Sequence, residues 1–61
     1  MIKYIKKMLK QNEIVKIHLI NGSLVSVVHV KKVWMNGKFL IIDANNTEHL
    51  IDSRYIVQIE S

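Results

Sequence analysis

Lys3, Lys6, Lys7 and Lys10 crowd the first ten residues and form the densest chemical feature of the chain. Attraction to phosphate needs charge density more than fine geometry, so a cluster of this kind can hold an anionic polymer. The same lysines could equally be a solvated face that keeps a small protein in solution. Four of the five acidic residues (Asp43, Glu48, Asp52 and Glu60) lie in the last nineteen positions, so one end is basic and the other mildly acidic within a net charge of +4. Asp52-Ser53-Arg54 is a second candidate. An Asp can accept a hydrogen bond from the backbone N–H two residues on and so set a turn. Arg54 is then placed either to pair with Asp52 or to fork onto a phosphate.

Other chemistries find little footing. His18, His29 and His49 have no short metal-ligand spacing, and the chain has no Cys. No metal, cofactor or disulfide is therefore expected, and a cysteine-free chain suits a reducing compartment. Ser, His and Asp all occur, but no nucleophile motif does, and a chain this short leaves no room for a deep cleft. An enzyme is not expected. No apolar run exceeds four residues, so no segment is long enough to span a membrane, and a cytoplasmic protein is the default expectation.

The elements that would position these groups are one helix and five strands in a single domain covering residues 1–61. A chain of this size buries only roughly 60% of its unfolded surface. Without disulfide or metal, self-association is the remaining support for a sequence that is 49% apolar. Residues 2–11 read as an amphipathic helix, with Ile2, Ile5, Met8 and Leu9 on one face, the four lysines on the other, and Tyr4 at the boundary. Ten residues are too few for a stable free helix, so it must dock on the sheet.

Strands are expected at about 14–20, 23–34, 38–44, 48–51 and 55–60. Asn21-Gly22 and Asn36-Gly37 are hairpin signals, and Asn45-Asn46-Thr47 is a third turn. Read as a type I′ turn, Asn21-Gly22 sets Leu19 against Leu24, Ile17 against Ser26 and Val15 against Val28. The core face is then Val15, Ile17, Leu19, Leu24 and Val28, with Lys16, His18, Val25 and Val27 on the other side. The same turn type at Asn36-Gly37 sets Trp34 opposite Phe39, a pairing that more commonly stabilises a hairpin or core than offers a base platform. The run Phe39-Leu40-Ile41-Ile42 expects burial on both sides. The second strand is long enough to need a bend, and its apolar alternation breaks near 27–29. Five strongly bent strands in so little chain predict a mainly β fold, a small SH3-like barrel behind an N-terminal helix.

This layout resembles the Sm-like family, and within it the bacterial Hfq RNA chaperones. The stretch YIKKMLKQNEIVKIHLING matches the family's helix and first strand without a gap, and LIDSRYIVQI falls where the family has its fourth strand, turn and fifth strand. The chain departs from the pattern at Val27, where the family has Gly, and at Asp52-Ser53-Arg54, which replaces Tyr-Lys-His. The family's helix Gln would fall on Met1, and the segment around 34–38 is longer by about four residues. The resemblance implies an Sm-type barrel and a homo-oligomeric ring, such as a homohexamer, in which strand 4 of one subunit pairs with strand 5 of the next. It implies single-stranded RNA as partner, held at an inner rim by Phe39, Lys38, Ser53 and Arg54. On the opposite face it implies a pocket of His18, Asn21, Gly22, Ser23, His49 and Gln58, with His18 in the place of a stacking aromatic. Lys3, Lys6, Lys7 and Lys10 would add a basic patch.

Short apolar fourth and fifth strands independently want a partner, because a free apolar edge invites aggregation. Two functions follow from different classes. The first is an RNA-binding ring acting in post-transcriptional regulation. The alternative is an SH3-like protein–protein interaction module without RNA binding, in which the lysines only solvate. A basic barrel that binds duplex DNA is a weaker third.

Overall fold

The computed structural model describes residues 2–61. Helix α1 (Ile2–Gln11) is followed by β1 (Val15–Leu19), β2 (Leu24–Val33), β3 (Lys38–Asp43), β4 (Glu48–Asp52), a 3₁₀ turn (Ser53–Tyr55) and β5 (Ile56–Glu60). Met1, the position matched to the family's helix Gln, lies outside the described residues. The fold is mainly β, as the sequence predicts, and all five strands belong to one antiparallel sheet in the order β4-β3-β2-β1-β5. The expected barrel closure is absent. β4 and β5 occupy opposite edges of the sheet and do not pair with each other, so the sheet stays open. Among the described residues, no helix is long and apolar enough to cross a membrane.

The core combines one face of the helix with one face of the sheet: Ile5, Ile17, Val25, Val27, Phe39, Ile41 and Ile51. Ile2 and Leu9 flank Ile5, so the apolar stripe of α1 docks as its spacing requires and leaves Lys3, Lys6, Lys7 and Lys10 in solvent. Asn12 ends the helix. Its backbone N–H and its side-chain amide both donate to the Met8 carbonyl, at 2.8 and 3.1 Å, and Lys10 in the last turn suits the negative end of the helix dipole.

The register of β1 and β2 differs by one residue from the type I′ expectation. Val15 faces Val27, Ile17 faces Val25, and His18 faces Leu24. The cause is the loop. Leu19 N–H donates to Ser23 O at 2.9 Å and Gly22 N–H to Leu19 O at 2.9 Å, while Gly22 takes a φ of +88°. Three residues therefore connect the strands, with the left-handed one in third place, where Gly is the residue of choice. A one-residue slip exchanges the faces of a strand. Val25 and Val27 are buried in place of Leu24 and Val28, which face solvent.

The same loop recurs twice. Trp34 N–H donates to Lys38 O at 2.9 Å around Gly37 (φ +86°), and Asp43 N–H to Thr47 O at 2.9 Å around Asn46 (φ +63°). Each loop is also held by a side-chain oxygen: Asn21 Oδ1 accepts from Ser23 N–H at 2.9 Å, Asn36 Oδ1 from Lys38 N–H at 3.3 Å, and Asp43 Oδ1 from both Asn45 and Thr47 N–H at 2.9 Å. In consequence Val33, not Trp34, faces Phe39. The long β2 shifts register against β3 between Val27 and His29, where a bend is expected, and again between Val30 and Lys32. The run on β3 alternates: Phe39 and Ile41 are fully buried, Leu40 and Ile42 only half-buried.

Candidate functional site

Three groups of candidate residues can be followed from their elements. The helix lysines come first. Lys3, Lys6, Lys7 and Lys10 are exposed, and none of them pairs with a carboxylate among the described residues. Lys6 and Lys10 overhang a groove of about 350 Å³ between α1 and β2, floored by Leu9, Val28 and Val30 and bordered by His29. An apolar floor under a basic rim suits a ligand that is anionic on one side and flat or apolar on the other.

The second group centres on the 3₁₀ turn after β4. Asp52 caps it, accepting from Arg54 N–H at 3.0 Å, as the Asp-x-Arg spacing predicts. The Asp52 carboxylate also holds the Arg54 guanidinium, through Nε at 3.1 and 3.2 Å and a terminal nitrogen at 2.7 Å. These hydrogen bonds from Arg54, assisted by its charge, push the Asp52 carboxyl down to about 2 from its ordinary 3.8. They raise the Arg54 guanidinium in turn. The Arg54 side chain is 75% exposed, while that of Asp52 is nearly buried. Arg54 is thus presented to solvent on a fixed arm, with part of its fork already engaged. Lys38, cross-strand from Asp52, joins Leu50, Asp52, Arg54 and Tyr55 around a groove of about 280 Å³. Ser53 belongs to the scaffold: its N–H donates to Gly37 O at 2.9 Å and ties this turn to the β2–β3 loop. Phe39 does not belong to the groove at all. It is fully buried in the core, so it has no ring face to offer a base. Its neighbour Ile51 covers it from β4.

The third group is divided. His18 on β1 and Gln58 on β5 are cross-strand partners. His18 Nε2 lies 2.6 Å from Glu60 Oε1, and this hydrogen bond holds the Glu60 carboxyl below its usual range. Asn21, Gly22 and Ser23 form the exposed loop beside them. His49 is elsewhere, on β4 at the far edge of the sheet, with β3, β2 and β1 between it and β5. There its Nε2 lies 2.6 Å from Asp43 Oδ2. Asp43 is lowered first by the Thr47 N–H and then by His49. This couple borders a shallow pocket of about 160 Å³ with Leu24, Ser26 and Asn45.

Sequence reasoning missed Asp43 and Glu60. The Asp43-Ala44-Asn45 step carries a turn signal that could have revealed the first. The second needs the β1–β5 register, which no local pattern encodes. Trp34 is 37% exposed at the β2–β3 hairpin, with Lys32 Nζ 4.9 Å from the centre of its ring. Among the described residues, no three His, Asp or Glu side chains are placed to hold a metal ion. The arrangement offers exposed cations, free strand edges and shallow grooves. Comparison with known proteins finds no family model, no curated protein and no solved structure that matches this chain.

Proposed function

We propose that this chain is the subunit of an Sm-like, Hfq-like homo-oligomeric ring that binds single-stranded RNA. The observation that carries the reading is the open sheet. Its two edge strands, β4 and β5, are both unpaired on their outer sides and carry exposed apolar residues, Leu50 at 62% and Val57 at 63%. Head-to-tail pairing of β4 with β5 of a second copy satisfies both edges at once, and such a contact closes into a ring when its rotation closes. The strand order β4-β3-β2-β1-β5 leaves free the two strands that the Sm-like resemblance pairs between subunits.

The same pairing also addresses the divided group. A neighbour's β4 laid along β5 would carry its His49 to the strand beside Gln58 and His18, so the six residues would meet only between copies. The helix lysines, repeated around a ring, supply the charge density that phosphate binding requires. Lys38 and Arg54 add a second basic site, from which Phe39 is omitted. The role is binding without catalysis.

Native mass by light scattering, with and without short oligo(A) and oligo(U), tests the reading. Six or seven copies of the 7.1 kDa chain, with a further increase on adding RNA, is the expected outcome. A monomer or dimer indifferent to RNA would overturn it and point to the protein-interaction module.

A further inference from the structure

Asn21-Gly22 and Asn36-Gly37 are steps at which the backbone itself can react. Glycine has no side chain to keep its nitrogen from the preceding carboxamide carbon. In both loops the Asn Oδ1 accepts from the N–H two residues on, from Ser23 at 2.9 Å and from Lys38 at 3.3 Å. Such a bond draws electrons from Cγ and stabilises an oxyanion formed there. Asn21 and Asn36 are both exposed, so water reaches each.

The two steps differ at the attacking nitrogen. Gly22 N–H donates to Leu19 O at 2.9 Å, so its proton is engaged. Gly37 N–H has no acceptor among the described residues, although Gly37 O receives Ser53 N–H at 2.9 Å. The surrounding charge differs as well. No charged residue lies between Leu19 and Val28, whereas Lys31, Lys32 and Lys38 flank Asn36-Gly37. Lys31 is engaged by Glu48 at 2.8 Å, and Lys38 faces Asp52, which Arg54 already holds. Lys32 has no carboxylate partner among the described residues. Positive charge near a peptide nitrogen favours its anion, the species that attacks.

We infer that Asn36-Gly37 is a site of spontaneous modification, at which Asn36 loses ammonia and becomes Asp or isoAsp, while Asn21-Gly22 is held back. Gly37 N gives up its proton and attacks Asn36 Cγ. The new N–Cγ bond forms as the Cγ–Nδ2 bond breaks, and Nδ2 leaves as ammonia, taking up the proton. Solvent water then opens the cyclic imide, at Cγ to give Asp or at the main-chain carbonyl to give isoAsp. The net change is one ammonia lost and one water gained, with no oxidation or reduction. Either product sets a carboxylate among Lys31, Lys32 and Lys38 and lowers the net charge of +4 by one unit. The isoAsp product also runs the chain through its Cβ, which lengthens a loop tied by Gly37 O to the turn that carries Arg54.

The full chain is held in mildly alkaline buffer, native or in urea, and sampled over time by peptide mapping with mass spectrometry. Labelling by isoaspartyl methyltransferase counts the isoAsp. In the native protein, Asn36 should convert about five- to tenfold faster than Asn21, the rate equivalent of one net hydrogen bond. In urea, where the bond from Gly22 to Leu19 is lost, the two rates should converge. Asn36→Asp carries the charge without the longer backbone, so the isoAsp fraction should melt below it.

Equal native rates at the two steps, or a faster Asn21, overturn the inference. So does an Asn36 that stays intact in the native protein while it converts in urea, because the fixed loop then shields it. An isoAsp fraction as stable as Asn36→Asp overturns the coupling to the turn at Arg54. The modification needs no RNA and is read by mass, so a chain that binds no oligonucleotide would overturn the RNA-binding reading and leave this site standing.

Discussion

Gly22 and Gly37 hold the same place in two loops of the same build, and their surroundings differ in one respect. A Cβ added at Gly22 meets nothing within 4 Å, whereas one added at Gly37 comes within 3.0 Å of Ser53 Oγ. Both carry φ near +87°, as +88° and +86°. Gly22→Ala therefore measures backbone strain alone. A left-handed residue with a Cβ costs roughly 1–2 kcal/mol, partly offset by the smaller unfolded-state entropy of Ala, for a net loss of about 1 kcal/mol. Gly37→Ala adds the contact with Ser53, about 1 kcal/mol more on the scale of overpacked sites. In a domain this small, each kcal/mol lowers Tm by about 4–8 °C. Urea unfolding followed by Trp34 emission gives the two losses directly. Combining Gly37→Ala with Ser53→Ala should return the loss to the Gly22→Ala level, after correction for Ser53→Ala alone. Asn in place of either Gly should cost less than Ala, because the third loop already seats Asn46 at φ +63°. Equal losses at the two glycines, with no rescue by Ser53→Ala, would refute the contact. Losses near zero at both would refute the left-handed requirement itself.

Two further outcomes are expected. Phe39→Ala should cost about 3–5 kcal/mol as a fully buried aromatic, against a total on the order of 3–9 kcal/mol for a chain of this size, so circular dichroism should find it largely unfolded. A folded Phe39→Ala protein with Tm within a few degrees of wild type would remove Phe39 from the core. The Asp52 carboxyl is lowered in the folded protein, so its stabilising effect is complete above the ordinary 3.8 and fades as pH falls from there through about 2. Asp52→Asn should flatten, though not abolish, the acid loss of Tm across that window, since Asp43 and Glu60 are lowered too. Parallel acid profiles for the two proteins would discard the Asp52–Arg54 pair as a stabilising contact.

Local chemistry was legible in the sequence. The helix over 2–11, the five strands and all three loops follow from apolar spacing and from Asn and Gly, and the Asp52 cap follows from a two-residue offset. Register was not legible at the first two loops. Asn-Gly suits a two-residue I′ turn and also a three-residue loop with Gly in third place. The choice between them decides whether Leu24 or Val25 is core, and whether Trp34 or Val33 faces Phe39. Contacts between distant strands were hidden for a different reason. The His18–Glu60 pair depends on β1 meeting β5, and no neighbouring residue announces that. The resemblance set Phe39 at an exposed rim, whereas its full burial with Ile41 and Ile51 puts it in the core of this chain. Barrel closure depends on the gap between β4 and β5, a sum over every twist in the sheet that no single motif records.

The order of the strands also sets an order in time. β1–β2, β2–β3 and β3–β4 are each joined by a three-residue loop, so their pairing is local and such hairpins form on a microsecond scale. β5 is the exception. It must bring Glu60 back to Lys16, 44 positions away, and pays the loop-closure entropy that the other strands avoid. Contact order therefore predicts that the meander forms before its last strand arrives, leaving β1 an unguarded edge until then. Because β5 is also the strand proposed to receive a neighbour, the least local pairing of the fold and that proposed contact fall on the same five residues.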